Sequence, residues 1–203
     1  DYEKIEYVYE TIKLLKSELN YKLPLIGFIG SPWTVATYLI EGNSTKSFSK
    51  VLDLLKNDKS FLRVLLDTIT TASTNHLKNQ IESGVDVMMI FDTWGGLLEG
   101  SLYDEFSIQY INKIQSSLKS YNKPLIYYIR NPKNKLNSIK KLDVDVVGID
   151  SSISISKMAS QLKFPERFIG MHFFNPATIM KLVEIVKGQK TSTETCNKIL
   201  EFT

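Results

Sequence analysis

The sequence predicts an α/β protein built on a parallel β-sheet with helices packed against it. Short continuous apolar runs bounded by turn residues recur along the chain, and amphipathic helical stripes separate them. Runs of that kind belong to strands buried on both faces, and their alternation with helices is the mark of a parallel sheet. Ile5, Val8, Tyr9, Ile12, Leu15 and Leu19 recur at three- and four-residue steps and predict the first helix. Pro24 opens the run Leu25 to Ile29, closed by Gly30, which reads as a strand. Residues 45–56 read as helix. Phe61, Leu65, Ile69, Ala72, Leu77 and Ile81 mark a long helix, with Gly84 suited to its C-terminal end. Val85 to Phe91 is a second strand, and Leu102, Phe106, Tyr110, Ile114 and Leu118 form the next helical stripe. Pro124 opens a third strand, Leu125 to Ile129. A short lysine-rich helix over 134–141 and a fourth strand, Val144 to Ile149, follow.

Periodicity leaves a barrel and an open doubly wound sheet equally open. In both, ligands sit beyond the C-terminal ends of the strands. The segments that matter are therefore those after Ile29, Phe91, Ile129 and Ile149.

The composition is that of an ordinary globular protein: 203 residues, 43% hydrophobic and 23% charged. A net charge of +3 is too mild to point to nucleic acid. No apolar run is long enough to cross a bilayer, and Asp1-Tyr2-Glu3-Lys4 does not read as a signal peptide. The single cysteine, Cys196, forms no internal disulfide and no cysteine metal cluster; it reads as a small apolar residue of the last helix. A cytoplasmic setting is the expectation, with no metal and with a homo-oligomer permitted. His76, on the long helix, reads as solvated. The only arginines are Arg63, Arg130 and Arg167. Arginine is the usual two-pronged clamp for carboxylate, so a polyanion site here is sparsely equipped.

Two loops stand out. After the first strand comes Gly27-Phe28-Ile29-Gly30-Ser31-Pro32-Trp33-Thr34, then Thr37-Tyr38-Leu39-Ile40-Glu41-Gly42; after the second comes Ile90-Phe91-Asp92-Thr93-Trp94-Gly95-Gly96. Taken singly, each residue has an ordinary reading: a tryptophan at a strand end usually packs, and an aspartate there usually caps. Together they resemble the uroporphyrinogen decarboxylase family, as do Tyr103-Asp104-Glu105-Phe106-Ser107 and Asp145-Val146-Val147-Gly148-Ile149-Asp150. The resemblance covers residues 1–150. It implies an incomplete (β/α) TIM-barrel-type parallel sheet and a lyase of heme biosynthesis. That lyase removes acetate carboxyl groups from uroporphyrinogen III, giving coproporphyrinogen III, without a cofactor. It implies that Tyr38 and Thr93 approach the reacting side chain, and that Trp33, Asp92 and Trp94 line the pocket for the porphyrinogen. Tyr38, Trp33, Asp92, Thr93 and Trp94 are therefore expected in one cleft. In that family an arginine-rich segment, a pyrrole-binding aspartate and a late histidine complete the site. None has a counterpart in this sequence, so the expectation is a site incomplete as it stands. After the third strand the chain reads Ile129-Arg130-Asn131-Pro132, where that family usually has a glycine-rich turn.

After Asp150 the text changes. Arg167-Phe168-Ile169-Gly170-Met171-His172-Phe173-Phe174-Asn175-Pro176 and Met180-Lys181-Leu182-Val183-Glu184 resemble the 3-hydroxyacyl-CoA dehydrogenases. The resemblance implies that His172 is a general base oriented by Glu184, and that Ser151 contacts substrate. It implies NAD as cofactor only if that part were complete, and the sequence has no Gly-x-Gly-x-x-Gly turn to hold it. Residues 151–203 are expected to form a short α/β addition. Its histidine and glutamate should lie on adjacent antiparallel strands joined at Asn175 to Thr178, with Arg167 to Phe173 also extending the main sheet at one edge. A capping box from Thr191 to Glu194 should open the last helix. Three readings follow: a decarboxylase-like lyase, a dehydrogenase fragment, or an inactive chimera joined after Asp150.

Overall fold

The protein is described from a computed structural model covering residues 2–20, 22–43, 47–132, 134–150, 154–173 and 182–202. It separates into two compact units, Asp1–Asp150 and Ser151–Thr203.

Four parallel strands form the sheet of the first unit: β1 (Ile26–Gly30), β2 (Val87–Asp92), β3 (Leu125–Arg130) and β4 (Val146–Asp150), in the spatial order β1-β2-β3-β4. Phe28 lies opposite Met89, Ile90 opposite Tyr127, and Ile129 opposite Ile149. The helices are α1 (Glu6–Glu18), α2 (Pro32–Glu41), α3 (Ser49–Asn57), α4 (Lys59–Glu82), the single turn α5 (Ser101–Tyr103), α6 (Gln109–Leu118) and α7 (Leu136–Ile139). A π-helical turn, Asp104–Ile108, joins α5 to α6. Local chemistry sets these bounds. The Asp58 carboxylate accepts the N–H of Phe61 and opens α4. Gly84, at φ +114°, lets the chain leave α4 in a conformation that other residues avoid. The lysine-rich helix after β3 is shorter than predicted, four residues in place of eight.

The strands are not buried on both faces as their apolar runs predict. Met88, Ile90 and Asp92 of β2 and Leu125, Tyr127 and Ile129 of β3 are buried. They share one core with Leu62, Leu66 and Leu77 of α4 and Tyr110, Ile111 and Ile114 of α6. The alternate positions face the other way and are more open: Ile26, Phe28 and Val146 are all exposed, Phe28 by 60%. On that face Phe28 meets Phe91 edge-on at 5.8 Å, and Phe91 meets Tyr128 at 5.4 Å. The described residues form an open sheet and no closed barrel.

Two polar anchors fix the ends and edge of this sheet. Lys16 of α1 donates to both carboxylate oxygens of Asp86, at 2.9 and 2.7 Å, and Asp86 also accepts the N–H of Leu25. Gln80 of α4 grips the outer edge of β1, accepting from the Phe28 N–H and donating to the Phe28 carbonyl. His76 is not solvated as its helix position suggested. It is half-buried, its Nδ1 pairs with the Tyr9 hydroxyl at 2.9 Å, and burial lowers its pKa.

In the second unit β5 (Ile169–Phe173) pairs antiparallel with β6 (Val183–Lys187), flanked in sequence by α8 (Ile155–Ala159) and α9 (Thr193–Phe202). The expectation that residues 167–173 extend the parallel sheet is corrected: β5 finds its partner nearby in sequence, where closing the intervening loop costs less entropy. The cap of α9 is also corrected. Ser192, not Thr191, accepts from Thr195, while the Thr191 hydroxyl accepts the Gly188 N–H and donates to the Phe168 carbonyl. Cys196 is buried on α9. Among the described residues no helix is long and apolar enough to cross a membrane.

The burial pattern makes the two sheet faces distinguishable by mutation. Truncating Ile90 to alanine should cost about 2–5 kcal/mol, because it leaves a cavity in the core. Replacing Phe28 with serine should change stability by no more than about 0.5 kcal/mol. Urea denaturation of both variants checks this, and a large cost at Phe28 would mean that the open face is covered in solution.

Candidate active site at the strand C-termini

The first loop begins as a helix start. Ser31 caps α2, its hydroxyl oxygen accepting the Thr34 N–H, and Pro32 takes the first helical turn, where a missing N–H costs nothing. The Ser31 hydroxyl then donates its proton to Asp92 Oδ1 at 2.6 Å. Thr34 donates to the same oxygen at 3.4 Å. Asp92 Oδ2 accepts from Ser107 of the π-helical turn at 2.7 Å and from Tyr127 of β3 at 2.8 Å. The Tyr103 and Tyr127 hydroxyls pair in turn. Four hydroxyls from three neighbouring segments thus converge on one fully buried carboxylate.

Burial raises the pKa of Asp92, and the bonds from Ser31, Ser107, Tyr127 and Thr34 pull it part of the way back. Burial likewise holds the Tyr103 and Tyr127 hydroxyls in their protonated, donating form, and the neighbouring Asp92 charge adds to this. Gly95 passes so close that a Cβ there would lie 2.1 Å from Asp92 Oδ2. The Trp-Gly-Gly sequence is therefore a steric requirement of the buried carboxylate.

The same contacts place Trp94. Its backbone N–H donates to Thr34 Oγ1 at 3.2 Å, and its carbonyl accepts from the Trp33 indole at 2.9 Å. Its own indole, half-buried, packs against Phe48 at 4.5 Å and meets Tyr38 edge-on at 6.2 Å. The Arg130 guanidinium lies over the ring, 6.0 Å from its centre. Trp94 Nε1 is buried without a hydrogen-bond partner among the described residues. Phe48 adopts a left-handed backbone, φ +50°, which few non-glycine residues do. Glu41 supports this turn by accepting the Val51 N–H.

The structure therefore divides the sequence-predicted residues into two layers. Tyr38, 47% exposed, and the half-buried Thr93 and Trp94 form the outer layer at one end of the sheet. Trp33 and Asp92 lie wholly buried beneath it and hold the loops in place. Sequence reasoning missed Ser31, Ser107, Tyr127 and Phe48, and noted Arg130 only as a departure. Strand parity was the available signal for Tyr127, which shares the buried side of β3 with Leu125 and Ile129. A hollow of about 390 Å³ opens elsewhere, among α4 and α6 side chains including Thr70, Thr74 and Lys113. Among the described residues no group of three or more His, Cys, Asp or Glu side chains is placed to hold a metal ion.

In the second unit His172 faces Glu184 directly across the β5–β6 pair, Nδ1 to Oε2 at 3.4 Å, with both side chains more than half exposed. Ser151 and the connection at 174–181 lie outside the described residues.

Parallel strands with an aromatic, hydroxyl-bearing rim at their C-terminal ends define an α/β protein of the barrel-forming kind, in which that rim is where ligands bind. A family model described as uroporphyrinogen decarboxylase matches residues 1–186. The chain belongs to the uroporphyrinogen decarboxylase family. The match runs past Asp150, where the sequence appeared to change character. Proteins named uroporphyrinogen decarboxylase are similar to it. That of Ruthia magnifica is 39% identical over 157 residues, 75% of this chain and 45% of the relative. That of Coxiella burnetii is 40% identical over 159 residues, 76% and 44%. That of Colwellia psychrerythraea is 37% identical over 164 residues, 79% and 46%. The chain spans somewhat less than half the length of these relatives.

The hydroxyl cage yields a stability prediction with a pH signature. Asp92→Ala strands four donors and opens a small cavity, and should cost about 3 kcal/mol. In the native chain Asp92 keeps its proton to higher pH than an unfolded aspartate does. The native state therefore binds more protons across that interval, and stability falls as pH rises from the ordinary aspartate range through the raised Asp92 value. Asp92→Asn lacks this component. Urea midpoints of the two proteins, plotted against pH, should diverge across the interval, and parallel curves would refute the raised pKa.

Proposed function

We propose that the first unit serves a uroporphyrinogen-decarboxylase-type lyase, with Tyr38 and Thr93 as the groups nearest the reacting side chain and Trp94 as a wall of the porphyrinogen site. The observation that carries this reading is the meeting of the two loops at one end of the sheet. Tyr38 and Trp94 are separated by more than fifty residues, yet their rings are in edge contact. A flat apolar ring with polar substituents suits such a rim: the indole offers a face, and the Tyr38 and Thr93 hydroxyls offer hydrogen bonds to a carboxylate.

The reaction needs no cofactor in this reading. A proton adds to a pyrrole carbon, the acetate C–C bond breaks with loss of carbon dioxide, and its electron pair neutralises the ring. A second proton then completes the methyl group as the first is returned. The positive ring intermediate calls for a fixed anion facing it. Asp92 does not fill that role, since it is fully buried and its oxygens are taken up by four hydroxyls. We therefore expect the chain to bind a porphyrin but to turn over poorly by itself. The setting we propose is the cytoplasm.

A second reading attaches to the second unit alone and rests on the His172–Glu184 pair. A neutral imidazole aligned by a carboxylate is a competent general base, as in a 3-hydroxyacyl-CoA dehydrogenase. The hydride acceptor that such chemistry uses is NAD. The residues present do not fit it, because no glycine-rich turn brings a helix N-terminus to a pyrophosphate. No step is assigned to NAD here, and calorimetry should detect no saturable NAD binding at micromolar concentration.

The first reading is tested by incubating the chain anaerobically with uroporphyrinogen III, oxidising the products, and separating them by carboxyl number. Turnover should be at least about 10²-fold slower than that of a full-length relative, the scale set by a missing electrostatic group. Turnover matching the relative would show that the essential charges are already in this chain.

A further inference from the structure

We propose that Arg130 is a carboxylate-recognition residue of the porphyrinogen site, held in place by the Trp94 ring; the inference rests on the decarboxylase reading of that site. Arg130 is the last residue of β3. By strand parity it shares a face with Ile126 and Tyr128, opposite the helix-packed Leu125, Tyr127 and Ile129, and it is exposed. It therefore stands on the open face at the ligand end of the sheet, beside the loop that carries Thr93 and Trp94.

Its alternative in the first unit is committed elsewhere. The only other arginine of residues 1–150 is Arg63 on α4, which is ion-paired with Glu105. Lys135, also close to the loop, is buried, donates to the Gly96 carbonyl, and has its ammonium 5.5 Å from the centre of the Tyr103 ring. Arg130 is the exposed cation that touches the aromatic rim itself.

The contact with Trp94 suits recognition. A guanidinium over an aromatic ring is held through its face, whereas its five N–H donors lie in its plane and point outward. Stacking thus reduces the rotamer freedom that a long side chain loses on binding, and leaves the fork geometry that matches a carboxylate in two parallel bonds. Trp94 is itself fixed through both backbone groups by Thr34 and Trp33, so the order extends from the buried carboxylate to the guanidinium. The Cα register places Asp150 of β4 next to Arg130. An acid beside the arginine competes with an acidic ligand for it, and removing that acid should strengthen binding.

The test measures binding of uroporphyrin III, the oxidised ring bearing the same carboxylate side chains, by fluorescence anisotropy at low and high salt. The intact chain should bind. Arg130→Gln should bind about 10-fold more weakly at low salt, the scale of one charge-assisted contact, with the gap narrowing as salt screens it. Arg130→Lys, which keeps the charge and loses the fork, should fall between. Arg63→Gln should bind as the parent does, and Asp150→Asn more tightly. Urea midpoints of the Arg130 variants should match the parent, separating lost recognition from lost structure. If the parent binds and both Arg130 variants bind equally well, Arg130 is not the recognition residue and the decarboxylase reading stands. If the parent does not bind uroporphyrin, that reading fails and the inference falls with it.

Discussion

The geometry of the rim depends on one buried carboxylate. Removing an aspartate from water costs several kcal/mol unless donors replace the lost hydration. Asp92 is given four such donors, from the start of α2, the π-helical turn before α6, and β3. Each donor satisfies the carboxylate only when its own segment is docked on β2. The arrangement is therefore cooperative: displacing one segment leaves a charge short of partners, and the cost rises with every donor lost. Thr34 extends this lock outward, because it donates to Asp92 and accepts from the Trp94 backbone. The rim residues inherit their positions from a group that no ligand touches.

Parity explains why the two layers separate as they do. In a strand successive side chains point to opposite faces, so Asp92 must follow Met88 and Ile90 into the helix-packed core. Phe91 and Arg130 must follow the opposite set onto the open face. The glycines after Asp92 turn the chain sharply enough for Trp94 to return over the strand ends. A side chain at Gly95 would collide with Asp92, and one at Gly96 would come within 2.9 Å of the Arg130 carbonyl. The close packing of loop on carboxylate is thus written as two residues without side chains.

Much of this was legible in the sequence, for reasons that also mark where legibility ends. The four strands were visible as apolar runs, each placed within two residues of its observed position, because burial of a continuous run is a local property of composition. The loops were visible because Ser-Pro-Trp-Thr and Asp-Thr-Trp-Gly-Gly are unusual. What was not visible is which face each residue turns to. A run apolar throughout hides its parity, so Asp92 and Trp33 read as pocket lining although both support it from below. The donors Ser107 and Tyr127 lie 15 and 35 positions from Asp92, and nothing local to any of them announces the meeting. The pairing of β5 with β6 was expected, but the further extension of the main sheet was not realised. A strand with a nearby antiparallel partner has one edge satisfied, and adding a distant second neighbour is a separate event. His76 shows the same limit: its helix position carries no sign that Tyr9 folds back to cover it.

The open face places a last constraint on the site. In a closed (β/α)8 barrel the inward side chains pack in layers, and loops from all eight strands surround the ligand. Four strands are present among the described residues, and their inward positions, Ile26, Phe28 and Val146, remain exposed. The outer edge of β1 is nevertheless not left bare, since the Gln80 amide bonds both polar groups of Phe28 in the manner of a neighbouring strand. An edge satisfied by a side chain resists pairing with a stray strand, one of the recognised ways of protecting a sheet. Half of a barrel can in this way keep its register and its rim while its inner face stays uncovered. Tyr38, Thr93, Trp94 and Arg130 then occupy one arc, and an arc meets only one side of a flat ligand. The desolvation that strengthens each polar contact in an enclosed site is correspondingly weaker here. Binding through directed contacts therefore survives in such an arc more readily than catalysis, which also requires the excluded water and the facing charge.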